Sequence, residues 1–181
     1  MGLNLVKIGN PLLRVKARPV PKARIRGKAF HAFLKKMASA MRRWKGVGLA
    51  ANQAGKGTRV FVMECRGSGR YPQAPAFPLQ AYVNPRIVGY SRKKSADWEG
   101  CLSVPGYRGL VPRSERVVLE AVTPQGRKIR RIFRGFEARV VQHEVDHLNG
   151  LIYMDRMPGL RNWTHLEEFN RKFKAKVKDR K

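Results

Sequence analysis

The amino-acid sequence predicts an α+β fold in which short antiparallel strands pack around one central helix. Three observations lead to this prediction: an amphipathic helical segment in the first third, several short β-prone runs after it, and a second long helical segment after those runs. Short strands with a helix packed among them are typical of this fold class. No internal repeat or linker divides the chain, so residues 1–181 are interpreted as one domain.

The first helix is predicted from Gly27 to Lys45. Its apolar residues recur at steps of three and four, which places them on one face, and basic residues occupy the other side. Because glycine is common directly after the last helical turn, the helix is expected to end at Gly46. The apolar positions are Phe30, Phe33, Leu34, Met37, Met41 and Trp44.

The β-prone runs follow this helix. A strand is predicted at 58–65, and residues 66–80 are predicted to form a loop because proline and glycine are frequent there. Another strand is predicted at 82–90, where Pro85 either weakens the strand or marks it as an edge. The first of these strands ends at Cys65, which is interpreted as a thiol of the hydrophobic core.

The last third begins with a predicted hairpin, because two β-prone runs at 116–122 and 128–133 flank the turn sequence Thr-Pro-Gln-Gly. The second long helix is predicted at about 136–148. A final helix is predicted at about 163–178, with Leu166, Phe169 and Phe173 on its apolar side and a densely basic end.

Composition limits the classes of function. The 181 residues are 43% hydrophobic, which is typical of a globular protein, and no apolar run approaches the ~20 residues that a membrane-spanning helix needs. No signal-peptide pattern begins the chain, so a cytoplasmic location and no membrane partner are expected. Two cysteines do not make a disulfide framework.

The net charge is unusually positive. Thirty-nine lysines and arginines against twelve acidic residues give +27, whereas a small soluble domain usually carries a magnitude of roughly 2–8. Such an excess attracts polyanions, which predicts proximity to RNA or to the ribosome. The basic residues are scattered and no RNA-recognition motif accompanies them, so the alternative is a surface that serves solubility alone.

A metal site is predicted within the second long helix, where the sequence reads His143-Glu144-Val145-Asp146-His147. Residues four apart lie on one helix face, so both imidazoles can bind one ion. The H-E-x-x-H pattern thus supplies two ligands, with Glu144 beside them as a general base. The alternative is a helix that carries two unrelated histidines.

A catalytic metal usually has three protein ligands, and the sequence offers several candidates for the third. One protease pattern requires a further histidine where this chain has Tyr153, so that interpretation fails. Another type of zinc endopeptidase takes a downstream glutamate, for which Glu167 or Glu168 would serve. The remaining candidate is Cys101, because a thiolate with two imidazoles suits zinc or ferrous iron.

Three motifs in order make the chain resemble the peptide deformylase family, over about residues 6–157. They are G-V-G-L-A-A-N-Q at 46–53, E-G-C-L-S at 99–103 and Q-H-E-V-D-H at 142–147. The resemblance implies a metal-dependent hydrolase that removes the N-formyl group of N-formylmethionyl nascent polypeptides. This co-translational N-terminal processing would yield formate and a free N-terminus.

The resemblance also implies roles for individual residues in the chemistry. The metal ligands would be Cys101, His143 and His147, and Glu144 would act as general base and acid. Gln53 and the backbone N–H of Leu102 would hold the developing oxyanion. Ferrous iron is usual for the family, and zinc or nickel can substitute for it.

Substrate contacts are implied in the same way. Val47 and Gly48 would pair with the peptide backbone, and Arg108 would lie near the substrate in a loop that follows Cys101. Phe136 and Val140 would line a pocket for the methionine side chain, or they are ordinary core residues.

The extreme basicity is not a family requirement, and the basic C-terminal helix could dock on ribosomal RNA. Two alternatives remain open at this point. One is a zinc endopeptidase that uses Glu167 or Glu168, and the other is a basic RNA-binding protein with a vestigial site.

Overall fold

A computed structural model of the protein describes residues 3–67 and 74–178. The described residues form four α-helices, eight strands and three short 3-10 turns. The elements are α1 (Lys22–Ile25), α2 (Lys28–Arg43), β1 (Gly48–Ala50), β2 (Val60–Cys65), β3 (Phe77–Tyr90), β4 (Lys94–Cys101), β5 (Val104–Ser114), β6 (Arg116–Val122), β7 (Lys128–Arg134), α3 (Gly135–Leu148), β8 (Trp163–His165) and α4 (Leu166–Lys178). The 3-10 turns are Pro11–Arg14, Tyr153–Arg156 and Leu160–Asn162.

The strands form two antiparallel sheets. The larger sheet has the order β1-β2-β3-β6-β7, and the smaller one has the order β4-β5-β8. Helix α3 contacts strands of both sheets, so it is central to the fold. The predicted α+β class is therefore confirmed, although β3 and β5 are longer than the short strands that were expected.

Strand β3 corrects two predictions from the sequence. It begins at Phe77 instead of residue 82, so the predicted loop is shorter; residues 68–73 of that loop lie outside the described residues. It is also an interior strand and not an edge. Its pairing with β6 shifts register around Pro85, and such an irregularity accommodates a residue that has no backbone N–H.

The C-terminal segment corrects a further boundary. The last helix was predicted from about Trp163, but Trp163–His165 form β8, which pairs with β5, and α4 begins at Leu166. The predicted hairpin is present as β6 and β7, and the two long helices are present as α2 and α3. Strands β4 and β5 were not predicted, because their charged and glycine-bearing sequences lack a regular apolar alternation.

Three clusters of buried side chains make up the core. The first lies between the larger sheet and α3 and includes Phe61, Phe133 and Cys65, which confirms Cys65 as a core thiol. The second joins α2 to the strands of the same sheet. The third lies under the smaller sheet and includes Cys101 and Tyr153. The predicted ligands of α3, His143 and His147, therefore lie between the two sheets. In the described part of the chain, no helix is long and apolar enough to cross a membrane.

Candidate metal centre and active site

Helix α3 is held in place at both of its ends. It begins at Gly135, directly after β7, and ends at Leu148. The chain then turns at Gly150, which has a φ of 78° and sits so close to the backbone of Arg14 that a Cβ would lie 2.6 Å from its carbonyl oxygen. Only glycine fits this combination of left-handed backbone and close approach. The end of α3 is therefore packed directly on the N-terminal segment.

The predicted ligands converge at this helix. Cys101 is the last residue of β4, and its Sγ lies 3.2 Å from Nε2 of His147. One ligand atom each from Cys101, His143 and His147 lies within 4.8 Å of the other two. Cys101 and His147 are 2% and 0% exposed, so these groups face each other and not solvent. The three side chains form a possible metal-binding group.

The protonation preferences of this group fit a metal site. Burial by itself raises the pKa of the Cys101 thiol, but His147 and His143 outweigh burial and hold that pKa well below its ordinary value. The thiolate is the form of cysteine that binds metals, and it is soft enough to suit iron, zinc or nickel together with two imidazoles. The donor set present therefore fits a divalent transition metal.

Glu99 orients one of the imidazoles. Nδ1 of His143 donates to Glu99 at 2.9 Å, which leaves Nε2 for the site. The Glu99 carboxylate also accepts two hydrogen bonds from Arg113, at 2.9 and 3.0 Å, and one from Arg139 at 2.8 Å. Arg113 also forms an ion pair with Asp146, and Asp146 forms a second ion pair with Arg156. A buried charge network thus fixes the ring of His143.

The sequence analysis missed most of this network. Glu99 was quoted within a motif, but it received no role. Arg113 and Arg139 were hidden among 39 basic residues, and Arg113 lies on a strand that was not predicted. The available signal was the acidic residue two positions before Cys101, since carboxylates commonly orient metal-bound histidines.

Glu144 lies beside the ligand group in a different environment. It is 3% exposed, and its Oε2 has no hydrogen-bond partner among the described residues. Burial raises the pKa of this carboxyl to about 7. A Cβ on Gly48 would collide with the Glu144 carboxylate, so the glycine of the first motif makes room for it. This carboxyl can exchange a proton near neutral pH.

Gln53 directs its amide toward the same group. Its Oε1 accepts from the backbone N–H of Ala50 at 2.9 Å, which fixes the orientation of the amide. Its Nε2 donates to the Ser103 hydroxyl at 3.1 Å and to the Cys101 sulfur at 3.4 Å. Leu102 lies in the turn between Cys101 and Ser103. The structure therefore brings together the three predicted ligands, Glu144, Gln53 and Leu102.

A cavity opens at this group, and most of the predicted substrate contacts lie on its wall. Its lining includes the ligands Cys101 and His143, the side chain of Glu144, and the residues Val47, Gly48, Gln53, Trp98, Leu102, Phe136, Arg139 and Val140. Arg108 is not part of this lining. It lies on β5 and not in a loop, which corrects the prediction, and its guanidinium stands 5.5 Å above the ring of Phe169. The extended pairing of β5 with β4 and β8 is what places Arg108 in a strand.

The glutamates of the endopeptidase alternative lie elsewhere. Glu167 and Glu168 are in the first turn of α4 and are exposed. Glu167 lies 3.8 Å from His165, and Glu168 pairs with Arg171. Among the residues described, the group that could hold a metal contains Cys101 and neither glutamate. The α+β fold and this site define a hydrolase with a candidate metal centre.

Comparison with known proteins gives the family of this hydrolase. The sequence model of the polypeptide deformylase family matches residues 3–163. Peptide deformylase 1 of Bordetella pertussis is 42% identical over 164 residues, which are 90% of this chain and 92% of that protein. Peptide deformylase 2 of a Nostoc species is 37% identical over 167 residues, 92% of each chain.

The solved structures agree with the sequence matches. The Met-Ala-Ser-bound crystal structure of class I type b peptide deformylase from Acinetobacter baumannii aligns with a TM-score of 0.85 at 38% identity, covering 87% of this chain and 99% of that one. The enzyme from Thermotoga maritima aligns with a TM-score of 0.77 at 31% identity, covering 88% and 99%. The chain belongs to the polypeptide deformylase family, hydrolases that remove the N-formyl group from nascent peptides, which confirms the resemblance seen in the sequence.

Proposed function

We propose that this protein is a metal-dependent peptide deformylase that hydrolyses the N-formyl group of N-formylmethionyl nascent polypeptides to formate and a free N-terminus. The observation behind the proposal is the convergence of Cys101, His143 and His147 within 4.8 Å, with Glu144 lining the same cavity as Cys101 and His143. We assign the activity to a single catalytic domain that spans residues 1–181.

Cys101, His143 and His147 would hold one divalent ion, and we propose Fe²⁺, with Zn²⁺ or Ni²⁺ able to replace it. The metal, when bound, lowers the pKa of water and polarises the carbonyl of the substrate. The protein's contribution is to keep the thiolate buried and His143 oriented by Glu99. A thiolate ligand on ferrous iron is sensitive to oxygen, which favours the reducing cytoplasm as the location.

Glu144 would act as general base and then as general acid. Its carboxyl lies in the cavity and is buried, and burial raises its pKa to about 7, which is close to the pH at which a cell works. It takes a proton from the attacking water and later delivers it to the departing amine nitrogen. Gly48 leaves the space in which the carboxylate can approach both.

Gln53 and the backbone N–H of Leu102 would stabilise negative charge on the formyl oxygen. The Gln53 amide is already oriented by its bond from Ala50, so little reorganisation is needed during the reaction. Loss of one such donor typically lowers the rate by roughly 10²- to 10³-fold.

The substrate peptide would extend along the edge of the larger sheet. β1 begins at Gly48 and is the terminal strand of that sheet, which supports the proposal that Val47 and Gly48 pair with an added peptide strand. Phe136 and Val140 would contact the methionine side chain from the cavity wall. A substrate role for Arg108 stays a prediction from the family resemblance, because its guanidinium packs on Phe169.

We also propose that the basic surface and α4 dock on ribosomal RNA. A net charge of +27 supports attraction to the phosphate backbone, and binding of this kind weakens as salt rises. The protein should co-pellet with ribosomes at about 0.1 M salt and be released at higher salt. Removal of residues 171–181 should weaken pelleting and leave hydrolysis of a short peptide unchanged. A protein that stays in the supernatant at low salt contradicts the docking.

The decisive experiment measures formate release from formyl-Met-Ala-Ser by freshly purified, iron-loaded protein. The Glu144→Ala variant serves as the control. Release by the parent and almost none by the variant supports the proposed reaction. No release by a parent that demonstrably binds metal through Cys101 contradicts it, and larger N-acyl peptides would then be tested.

A further inference from the structure

Trp98 is one of the residues that line the cavity, and it takes no part in the proposed chemistry. It lies on β4 directly before Glu99. Its ring meets the ring of Phe169 edge-on, with centroids 5.2 Å apart and an interplanar angle of 65°. Phe169 belongs to α4, so the C-terminal helix reaches the wall of the active-site cavity through this contact.

Phe169 is itself held by the smaller sheet. The guanidinium of Arg108 stands 5.5 Å above its ring, on the strand next to β4. β8 pairs with β5, and its Trp163 stacks on Tyr107 of β5 with ring centroids 4.3 Å apart. Because α4 begins directly after β8, these contacts fix the start of α4. Between residues 166 and 172, only Leu166 and Phe169 are partly buried and the other side chains are exposed. Phe169 is therefore one of the few residues through which this part of α4 packs.

We propose that Phe169 is a positioning residue for substrate specificity: it holds Trp98 against the cavity and so sets the width of the pocket that receives the first side chain of the substrate. The inference rests on the proposed function. Edge-to-face aromatic pairs favour one relative orientation, so removing the Phe169 ring gives Trp98 additional freedom and widens that side of the cavity. The contacts of Gln53 and His147 with Cys101, and of His143 with Glu99, do not involve Phe169, so the substitution leaves these contacts in place.

The test compares two substrates that differ only in the first side chain, formyl-Met-Ala-Ser and formyl-Ala-Ala-Ser. Phe169→Ala should raise KM for the methionine substrate about three- to tenfold, with kcat within about twofold, and should change KM for the alanine substrate less. Phe169→Leu should give an intermediate change. Glu168→Ala, an exposed neighbour on the same helix, is the matched control and should leave both substrates unchanged.

A double-mutant cycle with Trp98→Ala tests whether the effect passes through Trp98. In that background, Phe169→Ala should no longer alter the preference for methionine over alanine. Equal KM changes for both substrates, a fall in kcat, or additive effects of the two substitutions would each overturn the inference. Circular dichroism reports whether α4 stays helical, and an unchanged preference in Phe169→Leu overturns the inference even if Phe169→Ala loses the helix.

Failure of this inference can be told apart from failure of the proposed function. Normal deformylation with an unchanged methionine preference removes only the role of Phe169. If the parent hydrolyses neither formyl peptide, the proposed function fails, and calorimetry then compares binding of Met-Ala-Ser and Ala-Ala-Ser by parent and variant. The truncation at residue 171 keeps Phe169, so it should keep the methionine preference, and a loss of preference there contradicts the inference.

Discussion

Two buried glutamates beside the candidate metal group have opposite surroundings. Glu99, on the side of the smaller sheet, accepts hydrogen bonds from Arg113, Arg139 and His143. Glu144, on the side of the larger sheet, faces the space left by Gly48. Burial alone raises the pKa of both carboxyls. For Glu99 the cationic neighbours outweigh burial and hold its pKa far below the ordinary value, whereas the pKa of Glu144 rises to about 7.

The difference teaches that the surroundings, and not the residue type, separate an anchoring carboxylate from a reactive one. Glu99 remains an anion that fixes the imidazole of His143, because its oxygens are already engaged. Glu144 can gain and lose a proton, because burial raises its pKa to about 7 and its Oε2 has no hydrogen-bond partner among the described residues. A pair of carboxyls whose surroundings push their pKa values apart is a general way to divide such roles. Substitutions that change the surroundings of Glu99 or of Glu144, but not both, test whether the two carboxyls have separate roles.

The largest effect is expected from a substitution in the ligand group itself. Cys101→Ala should abolish metal binding and reduce formate release to background, because two imidazoles alone hold a divalent ion weakly. Metal content by elemental analysis and formate release are the measurements. Cys65→Ala is the matched control, since Cys65 is equally buried but is not part of the candidate metal group. A Cys101→Ala protein that keeps its metal would favour the endopeptidase ligand set.

On the Glu144 side, loss of the carboxylate should remove chemistry and leave structure. Glu144→Gln keeps the shape of the side chain but cannot take a proton, so kcat should fall by about 10²- to 10⁴-fold. Steady-state formate release measures this fall, and metal content should equal that of the parent. Activity within tenfold of the parent would mean that another group moves the proton.

On the Glu99 side, loss of a cation should cost stability. Arg113→Ala leaves Glu99 and Asp146 buried beside a vacated position, so the free energy of unfolding should fall by about 3–5 kcal/mol. Urea denaturation of metal-loaded protein measures it. The control is Lys93→Ala, which removes an exposed partner of Glu115 and should cost at most about 1 kcal/mol. Equal costs for the two substitutions would contradict the distinction between buried and exposed ion pairs.

The smallest effect concerns a carboxylate outside both regions. Glu64 accepts hydrogen bonds from Arg42 and Arg66, and the Arg42 bond holds its pKa below the ordinary value despite burial. A depressed folded-state pKa contributes stability that is present above the ordinary pKa and is lost as pH falls. Glu64→Gln should therefore be less stable than the parent at about pH 7, and the gap should narrow toward about pH 3. Urea denaturation at both pH values checks the sign, and a gap that widens in acid contradicts it.

Local patterns were enough to predict the two long helices α2 and α3 and the two histidines of the candidate site. The spacing of His143 and His147 places both on one face of α3 through helical geometry alone, and the apolar period of α2 depends only on neighbours along the chain. The glycines and the cysteine of the remaining motifs, together with the family resemblance, pointed to Cys101, Gln53 and Leu102. Each of these predictions depended only on residues that are close together in the sequence or on a short motif.

The tertiary structure alone decided what surrounds these residues. Strand β8 exists only because β5 offers it a partner, and the pairing of Arg113 with Glu99 depends on two strands that lack a regular apolar pattern. The contact of Phe169 with Trp98 joins positions far apart in sequence. Sequence period reports which face of an element is apolar, but it carries no information about which distant charge or ring will meet that face. The motifs of this protein thus follow from the chain itself, whereas the charges and rings that tune them follow from how the two sheets close around α3.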